Sequence, residues 1–141
     1  MLEDPVSEQV IGCAFRVANV LGPGFLEKVY ENALLHELQK TGLSAQAQKN
    51  IKVWYDSILV GEFAVDLLIE ERILVELKAC RALNEAHVAQ SLNYLAATGL
   101  KTCLLLNFGT PKVEIRRLGR TRVQTVQSRT QEKPCSRGSR G

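Results

Sequence analysis

The sequence has no CxxC pair and no zinc-finger spacing, so its four cysteines (Cys13, Cys80, Cys103 and Cys135) indicate neither a metal knuckle nor a disulfide framework. Reduced thiols are the expectation. No apolar run approaches the roughly 18–20 residues that cross a bilayer, which excludes a spanning helix. The start, MLEDPVSEQV, is acidic and lacks the basic-then-apolar layout of a signal peptide, so a cytoplasmic protein without membrane contact is expected. A basic surface is also missing from most of the chain. Residues 1–118 hold 12 Lys and Arg against 14 Asp and Glu, and the net charge of +3 comes from 6 basic residues against one Glu in 119–141. The total therefore gives no nucleic-acid footprint. What is present is ordinary for one globular domain: 141 residues, 45% apolar and 23% charged.

Val6, Val10, Cys13, Val17 and Leu21 recur at helical spacing, predicting a helix over about 5–21 that Gly22-Pro23-Gly24 stops. Leu26, Val29, Ala33, Leu34 and Leu38 predict a second over about 25–41, closed by Thr41-Gly42. The period then changes. Residues 46–54 and 58–69 alternate as strands around a Tyr55-Asp56-Ser57 turn, and 72–79 makes a third strand. Asn84 caps a helix over about 85–97 that Gly99 ends. The apolar run 101–107 suits a strand covered on both faces, and 112–118 follows Gly109-Thr110-Pro111 as a last strand. The expected order is α-α-β-β-β-α-β-β, a sheet flanked by helices. From 119 the chain is rich in Arg, Ser, Gln and Gly, and is expected to be a disordered tail.

The hairpin 65-VDLLIEERILVELKA-79 sets Asp66, Glu76 and Lys78 among residues that otherwise read as sheet core. Charges beside buried strands are costly unless paired or used. Alternation puts Glu76 and Lys78 on one face. Asp66 joins them only if the connecting loop is odd in length: a three-residue loop at 70–72 sets Asp66 opposite Glu76, about 5 Å apart at Cβ. A two-residue Glu70-Glu71 turn would put it on the other face. Two carboxylates that close repel unless a cation lies between them, and Mg2+ favours oxygen ligands of this kind. The Leu77 carbonyl would be a further oxygen, and Lys78 could hold a water or neutralise phosphate charge. By itself the triplet recurs by chance about once in a chain this size, and an exposed strand face with a cross-strand Lys partner is the simpler account of it.

Two further patterns accompany it. The stretch 24-GFLEKVY-30 reads G-x-x-E-x-x-Y, with Glu27 and Tyr30 on one helix face; 90-QSLNY-94 reads Q-x-x-x-Y on the helix after the Glu-x-Lys strand, with His87 on the same face. With these motifs in this order, residues 6–118 resemble the small bacterial proteins of the GxxExxY family, within the PD-(D/E)XK nuclease superfamily. The resemblance implies an α/β, restriction-endonuclease-like core with a mixed sheet flanked by helices, occupying 1–118 as a single domain. It implies that Asp66 and Glu76 are metal carboxylates, joined by the Leu77 carbonyl, and that Lys78 is the catalytic lysine. Glu27 would be the acidic residue of the first core helix. Gln90 and Tyr94 would match the QxxxY element of RecB-type nucleases, with Tyr30 and His87 at the edge of the nucleic-acid contact. The cofactor implied is Mg2+, for which Mn2+ can substitute, and the substrate is DNA or RNA, with DNA favoured. Val65 stands where the superfamily often has Pro.

Each residue also has a plainer reading. Glu27 can be a first-turn glutamate favoured by the helix dipole, Tyr30 and Tyr94 core aromatics, and Gln90 and His87 solvated helix residues. The rival function keeps the fold without the reaction: an interaction or regulatory protein, forming a homo-oligomer through a helix or an edge strand at 112–118. The basic tail could add sequence-independent phosphate contacts.

Overall fold

The computed structural model describes residues 4–120 and 122–126. Helices α1 (Pro5–Leu21) and α2 (Glu27–Lys40) precede strands β1 (Ala45–Tyr55), β2 (Ile58–Ile69) and β3 (Ile73–Lys78). Helix α3 (Glu85–Thr98) follows, then β4 (Thr102–Asn107), β5 (Glu114–Gly119) and β6 (Arg122–Val126). The six strands lie in sequence order in one sheet, antiparallel except for the β3–β4 pair. The parallel pair is the consequence of α3, which carries the chain back across the sheet. Because β3 and β4 are interior strands, both their faces are covered. All of Ile73–Leu77 and Cys103–Asn107 are buried, as the apolar run 101–107 predicts for β4.

One face packs Leu67, Ile69, Ile73, Val75, Leu77, Leu104 and Leu106 against α1 and α2. The other packs Leu68, Leu74, Cys103, Leu105 and Leu118 against Leu95 of α3. Alternation along β3 therefore leaves Glu76 and Lys78 on the α3 side.

The rotation of α2 departs from its apolar pattern. Its buried residues are Tyr30, Glu31, Leu34 and Leu38, while Leu26 is 80% and Val29 38% exposed. Tyr30 accounts for the difference. Its ring stacks on Phe108 with centroids 4.8 Å apart, and its hydroxyl donates to the Gly22 carbonyl at 2.5 Å and accepts from the Phe25 N–H at 3.2 Å. A buried tyrosine that satisfies the backbone on both sides of Pro23-Gly24 turns the helix onto itself. Removing that hydroxyl takes away two hydrogen bonds at a part-buried turn, so Tyr30→Phe is expected to cost about 1 kcal/mol in thermal unfolding.

The chain beyond 118 also differs from the sequence reading. Residues 122–126 form β6 on the outer edge of β5, with Leu118 opposite Val123 and Ile115 opposite Val126. Cross-strand pairing on β5 supplies what composition alone does not. This covers the 112–118 strand, so that segment is not an edge open to a second copy; among the described residues the edges are β1 and β6. The rest of the expected tail, with Cys135, lies outside the described residues. Among those described, Cys13, Cys80 and Cys103 are free thiols, and no helix is long and apolar enough to cross a membrane.

Candidate active site

The β2–β3 turn decides whether the acidic residues meet. Glu70 and Glu71 are both left-handed, at φ 53° and 58°, and the Arg72 N–H closes the turn on the Ile69 carbonyl at 3.0 Å. Arg72 then adds one more residue before pairing resumes at Ile69 opposite Ile73. It is held out by an ion pair with Asp4, the N-cap of α1, at 2.6 Å. The loop therefore counts three residues, and Leu68–Leu74 and Leu67–Val75 follow in register. The next position in that register is Asp66 opposite Glu76. A one-residue slip would have separated them.

At that position the ladder gives way to side chains. The Leu77 N–H donates to Asp66 Oδ2 at 2.8 Å, and the Asp66 N–H makes a long 3.4 Å contact with Glu76 Oε2. On the other side of β3, the Lys78 carbonyl accepts from the Phe108 N–H of the chain leaving β4. Successive peptide groups of a strand point to opposite edges, so the Leu77 carbonyl points toward the fork where β2 leaves β3. The two carboxylates thus meet at this fork, with the Leu77 carbonyl on the same edge of β3.

Its electrostatics follow. Glu76 is 5% exposed. Burial, then the neighbouring Asp66 charge, pushes its carboxyl up to about 8, and the two acids are close enough to share a proton. Lys78, half-buried two residues on, pulls the other way. Tyr94 reaches the same place from α3: its hydroxyl is pushed up to about 12, chiefly by burial, with the Glu76 and Asp66 charges adding to it. Its ring stacks on Phe63 of β2 with centroids 4.2 Å apart. The phenol therefore stays neutral and can only offer a neutral hydroxyl to the site.

The remaining sequence candidates are placed less centrally. Glu27 is the first residue of α2 and exposed; the glutamate turned inward is Glu31, one turn on and 6% exposed. Glu31 accepts from Gln48 Nε2 at 3.0 Å, and the same nitrogen donates to Asp66 Oδ1 at 3.3 Å. Sequence reasoning missed both, although Glu31 lies at helical spacing before Leu34 and Leu38. Tyr30, being fully buried, cannot touch nucleic acid. His87 closes a capping box with Asn84, its N–H donating to Asn84 Oδ1 at 2.9 Å and its Nδ1 accepting from the Asn84 N–H at 3.2 Å. Gln90 is exposed one turn before Tyr94.

A second missed group fixes the end of β3. Asn107, fully buried opposite Lys78, accepts from the Cys80 and Gly109 N–H groups and donates to the Cys80 carbonyl and Glu114, all at 3.0 Å. Gly109 packs so tightly there that a Cβ would lie 2.3 Å from the Cys80 carbonyl oxygen.

Among the described residues no three of His, Cys, Asp and Glu come together as a metal cage. Mg2+ does not need one. It is commonly held by one or two carboxylates with waters and substrate phosphate, and the all-oxygen set of Asp66, Glu76 and the Leu77 carbonyl fits it.

A profile of the PD-(D/E)XK nuclease superfamily matches residues 4–118. The chain belongs to that superfamily. Its fold also resembles that of an alkaline exonuclease, LHK-Exo, from Laribacter hongkongensis, at a TM-score of 0.50 and 13% identity over 85% of this chain and 72% of that one. No curated protein matches the chain. The matched region of the PD-(D/E)XK domain contains every element from the N-cap of α1 to the penultimate residue of β5.

Proposed function

We propose that this chain is a divalent-metal-dependent nuclease of the GxxExxY type that hydrolyses phosphodiester bonds in nucleic acid, DNA above all, in the cytoplasm. The observation that carries the reading is the buried Glu76 carboxyl beside the half-buried Asp66 at the β2–β3 fork. An arrangement that pushes one carboxyl up to about 8 costs stability, and a cation removes that cost.

Asp66, Glu76 and the Leu77 carbonyl would hold Mg2+, or Mn2+ in its place. When bound, the ion supplies positive charge that polarises the phosphate and acidifies a water. Glu76 gives up its proton on loading. The Lys78 ammonium, on the same face, offers three donors to the attacking water and to the phosphate oxygens. Tyr94 keeps a neutral hydroxyl against the carboxylates, and exposed Gln90 reaches outward from the turn before it. Glu27, exposed at the start of α2, is left to a contact with substrate, and His87 acts through the start of α3.

A second reading, the fold without the reaction, draws on the charge of residues 1–118, which gives a polyanion no net attraction. End-labelled duplex DNA, single-stranded DNA and RNA, incubated with Mg2+, decide between the two. Wild type is expected to cut at least one substrate, and Asp66→Asn to be at least about a hundredfold slower. Mn2+ binding by a wild-type protein that cuts none of them would favour the second reading.

A further inference from the structure

We propose that Gln48 is a positioning residue, which fixes the Asp66 carboxylate between α2 and β3 so that the Asp66–Glu76 pair is set for a divalent cation; this rests on the nuclease reading above. The outlier that points to it is in the backbone. Ala47 pairs with Leu67 and Lys49 with Val65, while the position between them, Gln48 facing Asp66, drops out of the ladder, and the Gln48 φ is 53°. A left-handed conformation costs a non-glycine residue about 1–2 kcal/mol. Core packing does not explain it, because the residue is exposed.

What the conformation secures is one amide between two acids. Gln48 Nε2 donates to Glu31 Oε1 at 3.0 Å and to Asp66 Oδ1 at 3.3 Å. Glu31 is itself tethered, its Oε2 accepting from Lys28 Nζ at 3.1 Å. The other Asp66 oxygen is taken by the Leu77 N–H at 2.8 Å. Both Asp66 oxygens are thus held, one from each side, and the carboxylate loses its freedom to rotate. An uncharged donor suits the place. A lysine or arginine there would compete with a divalent ion for Asp66, whereas an amide orients the acid and leaves its charge intact.

Gln48→Met removes the donor and keeps the length; Gln48→Gly removes the donor and relieves the backbone. Calorimetry with Mn2+ alone, thermal melting without metal, and kcat and KM on a DNA duplex test both. Each variant is expected to bind Mn2+ about tenfold more weakly and to lose kcat to a similar degree, with KM little changed. Gln48→Gly is expected to melt no lower than wild type, a combination that a purely structural role would not produce. Mn2+ affinities within twofold of wild type in both variants would overturn the proposal and leave the nuclease reading standing. A wild-type protein that binds no Mn2+ would overturn both.

Discussion

Glu76→Gln is expected to stabilise the metal-free protein at pH 8 by a few kcal/mol. The ordinary value of the carboxyl is 4.5, and burial beside Asp66 raises it to about 8 in the folded state. Between those values the folded state keeps a proton that the unfolded chain has released. Stability from this group is therefore fully present below about pH 4.5 and is lost as pH rises toward 8, at roughly 1 kcal/mol per pH unit. Glutamine has the shape of the protonated acid and does not titrate. In chelator, wild type should lose stability between pH 5 and pH 8 and the variant should not. For a domain this size the gap at pH 8 amounts to about 10 °C or more in Tm. Parallel stability curves for the two proteins would remove the raised Glu76 carboxyl from the account.

Lys78→Met is expected to cut hydrolysis by about a hundredfold to a thousandfold while cation binding survives. The methionine keeps most of the packing of the lysine stem and removes only the ammonium. The lysine charge lowers the Glu76 carboxyl, so without it Glu76 should titrate higher and Mn2+ binding should need a higher pH. Single-turnover cleavage and Mn2+ calorimetry at pH 7 and 8.5 separate the two effects. Unchanged cleavage would take Lys78 out of the chemistry. Loss of Mn2+ binding as complete as in a carboxylate variant would make it part of the site's framework instead.

Much of this was legible in the sequence because the deciding signals are local. Gly22-Pro23-Gly24 and Gly99 bound their helices for reasons of backbone geometry, and the continuous apolar run of β4 announces a strand covered on both faces. The Asp66–Glu76 meeting depended on a parity argument, and Arg72 supplies the odd residue. The Asp4 ion pair with Arg72 joins positions far apart in the chain and could not be read locally.

What was missed depends on tertiary packing. Leu26 and Val29 suggested the wrong stripe for α2, and only the Tyr30 stack on Phe108 shows that Glu31 rather than Glu27 turns inward. Gln48 has no sequence signal, since its left-handed backbone and its contacts with Glu31 and Asp66 form only in the folded sheet. Asn107 and Glu114 sat inside runs read for their apolar partners, and their network forms only when β4, β5 and the end of β3 meet. The strand 122-RVQTV-126 alternates weakly and takes its stability from β5.

Titrating wild type and Glu76→Gln with Mn2+ at pH 7, in two buffers of different protonation enthalpy, goes most directly to the centre of this account. One Glu76-dependent site in the wild type, releasing nearly one proton per ion and absent from the variant, is the expected result. No binding, or equal binding by both proteins without proton release, would mean that the carboxylates at the β2–β3 fork do not hold a metal.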